Sequence, residues 1–594
     1  MATYKAPIRD MMFVLYEVMN ADKLPEMESF EEATRDLVEP ILEEAGKIAE
    51  EVLFPLNRSG DEEGCIWSDG KVSTPTGFKE AYKTFCEGGW TGLACDPAYG
   101  GMGMPKAIDS MIAEMICSSN LSFGMYPGLS HGAYHSLHTF GSDDMKDMYL
   151  PKLVDGSWSG TMCLTEPHCG TDLGLCRTKA EPQSDGSYGV TGTKIFISAG
   201  EHDMTENIIH LVLARTPDAP EGIKGISLFI VPKFIPDDQG DAGEANGVTC
   251  GSIEHKMGIK ASSTCVMNFD GAKGWLVGEL NKGMRGMFAM MNAARLAVGM
   301  QGLGLAEASY QGAVEYAKER LQGRSLSGVK HPDKPADPII VHPDVRRMLM
   351  TQRAYIEGCR AMGAWVAEEL DISRRHADDK RREEADEFVQ LMTPIVKALF
   401  TDLGFECTNI GMQVFGGHGF IREHGMEQYV RDCRIAQIYE GTNGIQALDL
   451  IGRKMPAKAG RNLRRFFHPV QDYIEKYVMD EEMGEFVQPL AKAFGRLQQA
   501  TGQLARVGMG KPEEAAAGAT EYLRLFGLVA LAYMWCRMVE ASKDKADEDE
   551  SGFYGAKITT ARFYMEKLLP QTNSLFASIM AGGASMMELD EELF

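Results

Sequence analysis

Residues 434–452, RIAQIYEGTNGIQALDLIG, place one carboxylate, Glu440, after the apolar Ile435, Ile438 and Tyr439 and immediately before Gly441, Thr442 and Asn443. Two readings are open. Glycine commonly takes the left-handed position that closes a helix, and a solvated Glu before it needs no other explanation. Alternatively, an acid on the lip of an apolar segment is a base, and Gly441 lets backbone approach a bound molecule closely. Three further stretches carry residue types suited to a flat, phosphate-bearing ligand. Residues 162–172, MCLTEPHCGTD, gather Leu164, Thr165, Gly170 and Thr171 in a tight loop whose hydroxyls and backbone N–H groups can receive phosphates or ring carbonyls. An ordinary turn uses the same residue types. Residues 195–200, IFISAG, put Phe196 and Ser198 at a strand end, where the ring can stack on a flat ligand and the hydroxyl can bond a ring nitrogen. A plain strand would also hold both. In residues 413–420, QVFGGHGF, Gln413 precedes Gly416, Gly417 and Gly419, three glycines that are costly unless backbone must come close to a ribose or diphosphate. This stretch lacks the Lys-Ser/Thr of a P-loop and the GxGxxG of a Rossmann fingerprint. Arg320 adds a cation for phosphates.

Positioning these groups requires a large chain, and 594 residues allow roughly four domains of about 150 residues. With 60 basic against 85 acidic residues the net charge is -25, which disfavours nucleic acid and anionic membranes but not an anionic ligand held by a local basic site. Thirteen cysteines are scattered without a CxxC pair or zinc spacing, the usage of reduced thiols in the cytoplasm; no metal site is expected. No signal peptide is read in MATYKAPIRDMMFVLYEVM, and no run of about 18 uncharged apolar residues suggests an integral membrane segment.

Hydrophobic periodicity divides the chain. Residues 1–35 form a preface whose Met12, Phe13, Leu15 and Val18 suit one amphipathic helix, and residues 36–160 are mostly helical. Between 161 and 280, β-branched and aromatic runs alternate with Gly, Pro and Asp turns, predicting an all-β domain joined by hairpins and long loops. The lack of intervening helices argues against a Rossmann sheet. From 281 to 455 helices return as a bundle, with Phe388, Leu391, Met392, Ile395, Val396, Leu399 and Leu403 on one buried face and Pro394 near the start of their helix. A break at RKMPAKAG precedes a last helical region, 456–594, in which the acidic run 544–550 reads as a solvated loop.

Thr165-Glu166-Pro167 with Gly170-Thr171-Asp172, the Gln413–Phe420 stretch, and Arg431-Asp432 leading to Ile438-Tyr439-Glu440-Gly441-Thr442-Asn443 resemble, in this order, the acyl-CoA dehydrogenases. The resemblance spans about residues 36–455. The preface and the C-terminal region look like the longer bacterial branch that includes 3-methylmercaptopropionyl-CoA dehydrogenases and some straight-chain enzymes. It implies an α+β, mostly helical fold: a helical N-domain, a barrel-like middle β-domain, a four-helix bundle and an extra helical C-terminal region. It implies FAD as cofactor, with Leu164, Thr165, Gly170 and Thr171 at the flavin and diphosphate, Phe196 and Ser198 at the isoalloxazine, and Thr442 at the diphosphate. Arg320, Gln413, Gly416 and Gly417 would reach the FAD of a neighbouring subunit. Met291 and Asn292 would follow the pantetheine of an acyl-CoA substrate, Arg295 would lie near base and CoA, and Glu440 would be the catalytic base. The implied reaction gives a trans-2-enoyl-CoA and passes electrons to an electron-transfer flavoprotein; an acyl-CoA oxidase using oxygen and a degenerate scaffold are the rivals. The implied assembly is a homodimer. The substrate suggested by the two extensions is 3-methylmercaptopropionyl-CoA, with a medium or long straight-chain acyl-CoA as alternative. Cys169, Phe196, Gly323 and Gly444 depart from the usual family pattern.

Overall fold

The computed structural model describes residues 4–594; the side chains of Ala289, Asn292 and Ala293 lie outside the described residues. The chain packs as two compact units, one of Met1–Gly46, Pro105–Ser118 and Val298–Phe594, the other of Lys47–Met104 and Ser119–Ala297.

The second unit is organised by a seven-stranded sheet. Its strands run in the order Trp158–Cys163, Asn207–Ala214, Ser227–Pro232, Thr264–Val277, Tyr188–Ser198, Lys179–Pro182, and Val248–Ile253 pairs with Thr264–Val277 beside this path. All pairings are antiparallel except the first, in which Trp158–Cys163 runs parallel to Asn207–Ala214. No Rossmann crossover links that pair, because the intervening chain is occupied by two other strands of the same sheet. Every residue of Asn207–Ala214 and Ser227–Pro232 is buried. Strand alternation sends their side chains to two cores: Ile209, Leu211, Leu228 and Ile230 pack with Trp158, while Val212, Phe229 and Val231 pack with Val190, Cys265 and Met267. A strand buried on both faces reads as a continuous apolar run, which is how these two look in sequence.

The first unit is helical. Pro343–Arg375 lies against Asp379–Val414, and Ala519–Ser542 packs on both. Among the described residues two helices, Asp379–Val414 and Ala519–Lys545, are long and apolar enough to cross a membrane by composition, but 78% and 89% of their apolar windows are buried inside the protein. Pro394, expected near a helix start, lies well inside Asp379–Val414. The preface forms the helix the sequence suggests, over residues 8–18, but it is buried around most of its surface rather than along one face. Ile8–Met12 continues into a π-helical turn, Phe13–Val18, and Met11 to Tyr16 are all buried, because Phe13–Val18 contacts both Pro343–Arg375 and Ala519–Ser542.

A buried ion network fastens the preface. The Arg360 guanidinium, 1% exposed, donates to Glu307 at 2.6 Å, to Glu114 through Nε at 3.0 Å, and to Asp10. Lys557 in the C-terminal region donates to Asp10 and, at 2.8 Å, to Glu357, which also accepts from Arg353 at 2.8 Å. Burial alone would raise Asp10, but Lys557 and Arg360 bring it down to about 2. Glu114 goes the other way, to about 7, because its burial outweighs Arg360.

Candidate active site

In the first unit, the helix Met426–Arg434 gives way to one 3-10 turn, Ile435–Gln437, and a new helix starts at Asn443 with Thr442 as its N-cap, the Thr442 hydroxyl accepting from the Ile445 N–H at 3.3 Å. Glu440 and Gly441 are the joint between them, both left-handed, with φ of 57° and 87°. Glu440 is therefore not a residue on the last turn before a glycine cap. A non-glycine side chain at positive φ costs about 1–3 kcal/mol and persists only where its surroundings enforce it. Here they do so from beneath. The buried Gln446 amide donates to the Glu440 carbonyl at 3.1 Å and the Gly441 carbonyl at 3.3 Å. Lys397, 0% exposed, donates to the Gly441 carbonyl at 2.9 Å and to Asn443 Oδ1 at 2.8 Å, and the Asn443 amide donates to Asp402 at 2.7 Å. Beside the joint, the Tyr439 hydroxyl donates to Gln301.

In the same unit the last turn of the helix before Arg320 meets the glycine stretch. One turn before Arg320, Tyr316 stacks on Phe415 with centroids 4.1 Å apart and bonds His418 Nδ1 at 2.7 Å. Arg320, Gln413, Gly416 and Gly417 are all exposed, and the Arg320 side chain has no carboxylate partner among the described residues. The three glycines are not equivalent. A Cβ on Gly419 would meet the Met412 carbonyl at 2.2 Å, and Gly416 has φ of 57°, so each has an internal reason. Gly417 has ordinary φ and open space around its Cβ position.

In the second unit, the chain leaves strand Trp158–Cys163 into the loop of Leu164, Thr165, Gly170 and Thr171. Glu166, 3% exposed, anchors it. Its carboxylate accepts from Lys194 Nζ at 2.8 Å, the Thr178 hydroxyl at 2.6 Å and the N–H groups of Arg177 and Thr178, while Lys194 also donates to the Leu164 carbonyl at 2.9 Å. Burial pushes the Glu166 carboxyl up, but Lys194 and these donors outweigh it and hold it at about 2. Glu166, His168 and Cys169 bring donor atoms within 4.8 Å of one another, with Glu166 committed to Lys194. Thr165 accepts from the Ile195 N–H at 2.9 Å, which ties the loop to the strand carrying Phe196 and Ser198. There the register shifts: Lys194 faces Met267 and Ile197 faces Cys265, so Ile195 and Phe196 together oppose Val266. This bulge gives Phe196 a φ of 58° and leaves its ring 58% exposed. Gly170 and Thr171 are exposed and Ser198 half-buried. Met291 and the buried Arg295 lie on the helix Gly283–Glu319; the side chain of Asn292 is outside the described residues.

Sequence reasoning missed Lys194, Lys397 and Gln446 as supports. The signal for both lysines is a lone charge inside an apolar run, Thr-Lys-Ile-Phe-Ile and Ile-Val-Lys-Ala-Leu.

The helical unit thus holds an acid on a strained joint and a loop of exposed glycines, and the sheet unit holds an exposed aromatic on a β-bulge. Family models match the chain in order: the N-terminal domain of acyl-CoA dehydrogenases matches residues 36–157, the middle domain 161–272, the C-terminal domain 281–455, and the acetyl-CoA dehydrogenase C-terminal-like domain 466–590. The chain belongs to the acyl-CoA dehydrogenase family of oxidoreductases. It is 41% identical to 3-methylmercaptopropionyl-CoA dehydrogenase of Ruegeria pomeroyi, over 98% of this chain and 99% of that one. It is 34% identical to a broad-specificity linear acyl-CoA dehydrogenase of Mycobacterium tuberculosis, over the full length of both. Among solved structures, an acyl-CoA dehydrogenase of Bacillus anthracis complexed with FAD has the same fold, with a TM-score of 0.74 at 20% identity, covering 95% of this chain and 90% of that one.

Proposed function

We propose that the protein is an FAD-dependent acyl-CoA dehydrogenase that converts 3-methylmercaptopropionyl-CoA to its trans-2-enoyl thioester, with Glu440 as base and an electron-transfer flavoprotein as acceptor. The observation that carries this reading is the Glu440–Gly441 joint: left-handed, held by buried donors, in a chain whose whole length matches dehydrogenases. Phe196, Thr165, Thr171 and Ser198 suit the flavin, which supplies the hydride acceptor when bound. Glu440 takes the proton next to the thioester carbonyl. Its backbone N–H is suited to meet the charge that develops on the thioester oxygen, a donation worth about 3 kcal/mol. Met291, Asn292 and Arg295 take the CoA side. Gly417, which needs no missing side chain for its own packing, supports an approach by another molecule's backbone or cofactor. With Arg320, Gln413 and Gly416 it would complete the FAD site of a second copy in a cytoplasmic homodimer.

The substrate rests on the 41% identical relative. The 34% identical enzyme for linear acyl chains supports a second reading, a medium or long straight-chain acyl-CoA. Anaerobic titration of the purified protein with 3-methylmercaptopropionyl-, butanoyl-, octanoyl- and palmitoyl-CoA separates them by the rate of flavin bleaching. Absence of bound flavin sinks the proposal. Glu440→Gln should bleach about 10²–10⁴-fold more slowly, and an unchanged rate removes Glu440 from the mechanism. Peroxide formed at the turnover rate in air would make the enzyme an oxidase.

A further inference from the structure

We infer that Lys397, with Gln446, is a positioning residue for proton abstraction; this rests on Glu440 being the base. A fully buried ammonium is expensive, and an apolar side chain would serve helix packing better in the run Ile395 to Leu399. Lys397 instead spends two hydrogen bonds on the joint that carries Glu440: the Gly441 carbonyl at 2.9 Å and Asn443 Oδ1 at 2.8 Å. Asn443 is held in turn by Asp402 at 2.7 Å and by the Thr401 hydroxyl at 3.0 Å, so this acceptor is itself fixed. Gln446 takes the carbonyls of Glu440 and Gly441 from the following helix. The two donors reach the joint from different helices, Asp379–Val414 and Asn443–Asp449. The peptide unit of Gly441 is therefore clamped from two directions, and Glu440 keeps the left-handed φ of 57° that aims its side chain. Without the clamp, the joint relaxes toward the ordinary backbone region, and the carboxylate leaves the line to the α-carbon.

The test uses the FAD-loaded full chain and 3-methylmercaptopropionyl-CoA. Two readings are taken without oxygen: single-turnover flavin bleaching over a range of thioester concentrations, with protiated and α-deuterated thioester, and exchange of the thioester α-protons with D₂O by NMR on enzyme whose flavin is already reduced, where no hydride can leave and the base alone is read. For Lys397→Met the expected result is retained FAD and melting temperature, an unchanged half-saturating thioester concentration, exchange and bleaching rates lowered about 10²-fold, and a larger isotope effect at the α-carbon. Lys397→Arg should recover part of the loss. Native-like exchange in a folded Lys397→Met overturns the inference, as does a loss that only follows a lowered melting temperature. If Lys397→Met does not fold, Gln446→Met decides: slowed exchange with FAD retained supports the clamp, native exchange overturns it. Glu440→Gln keeps the two ideas apart. Native exchange in that variant refutes the base itself, whereas slow exchange there with fast exchange in Lys397→Met refutes the clamp alone.

Discussion

Replacing Lys194 by Met should cost far more than one surface-sized interaction and should loosen the loop of Leu164 and Thr165. The drop of the Glu166 carboxyl from 4.5 to about 2 corresponds to about 3 kcal/mol in favour of its ionised, folded form. Because the folded value is depressed, this contribution is complete above about pH 4.5 and is lost progressively as pH falls from there through about 2. In Lys194→Met the hydroxyl and N–H donors remain, but the cation does not, and burial drives Glu166 upward. Leaving one buried charge unpaired costs about 3–5 kcal/mol. Hydrogen exchange in strand Tyr188–Ser198 should accelerate about 10²-fold or more, FAD should dissociate more readily, and acid unfolding should begin at higher pH than in the native protein. The double variant Glu166→Gln/Lys194→Met has no charge to bury and should recover most of the loss. A loss under about 1 kcal/mol in the single variant, or a double variant no more stable than the single, would refute the reasoning.

Three other outcomes follow from described contacts. Glu114, raised to about 7, stabilises the fold fully below its unfolded value and loses that contribution as pH rises through 7; melting temperatures taken between about pH 5 and pH 8 should fall in the native protein and flatten in Glu114→Gln. Lys557→Met takes one of two cations from Asp10 and one of two from Glu357, which keep Arg360 and Arg353, and should cost about 1–3 kcal/mol, seen as faster proteolysis of the preface in a protein that still binds FAD. Gly416→Val places a β-branched residue at φ of 57°, a strain of about 1–2 kcal/mol in an exposed loop, so FAD content should fall more than melting temperature; equal retention of FAD would count against the loop's role.

Much of this was legible in the sequence, for identifiable reasons. Strands buried on both faces announce themselves as apolar runs, as in residues 208–213, and Glu440 stood out because an acid beside glycine interrupts such a run. The parallel pairing of Trp158–Cys163 with Asn207–Ala214 was not legible, because partner choice depends on chain more than forty residues away. Lys194 and Lys397 were equally hidden: a buried lysine has the same letter as a solvated one, and only the carbonyls and carboxylate that surround it reveal its burial. Pro394 misled in a related way. Proline usually marks a helix start, and inside Asp379–Val414 tertiary packing sustains the helix past the missing N–H. The glycines taught a finer distinction, since three identical letters conceal one steric need, one backbone need and one position with neither.

Asp10 has a temporal consequence. Its partners Arg360 and Lys557 lie 350 and 547 positions further along, so during synthesis it waits without the second of them until residue 557 has left the ribosome. The sheet unit, drawn from residues 47–104 and 119–297, can close long before then. Maturation should therefore be staged, with the β-unit acquiring protease resistance early and the helical unit only when its last helices emerge. Nascent chains halted before Lys557 would be the species most dependent on chaperones.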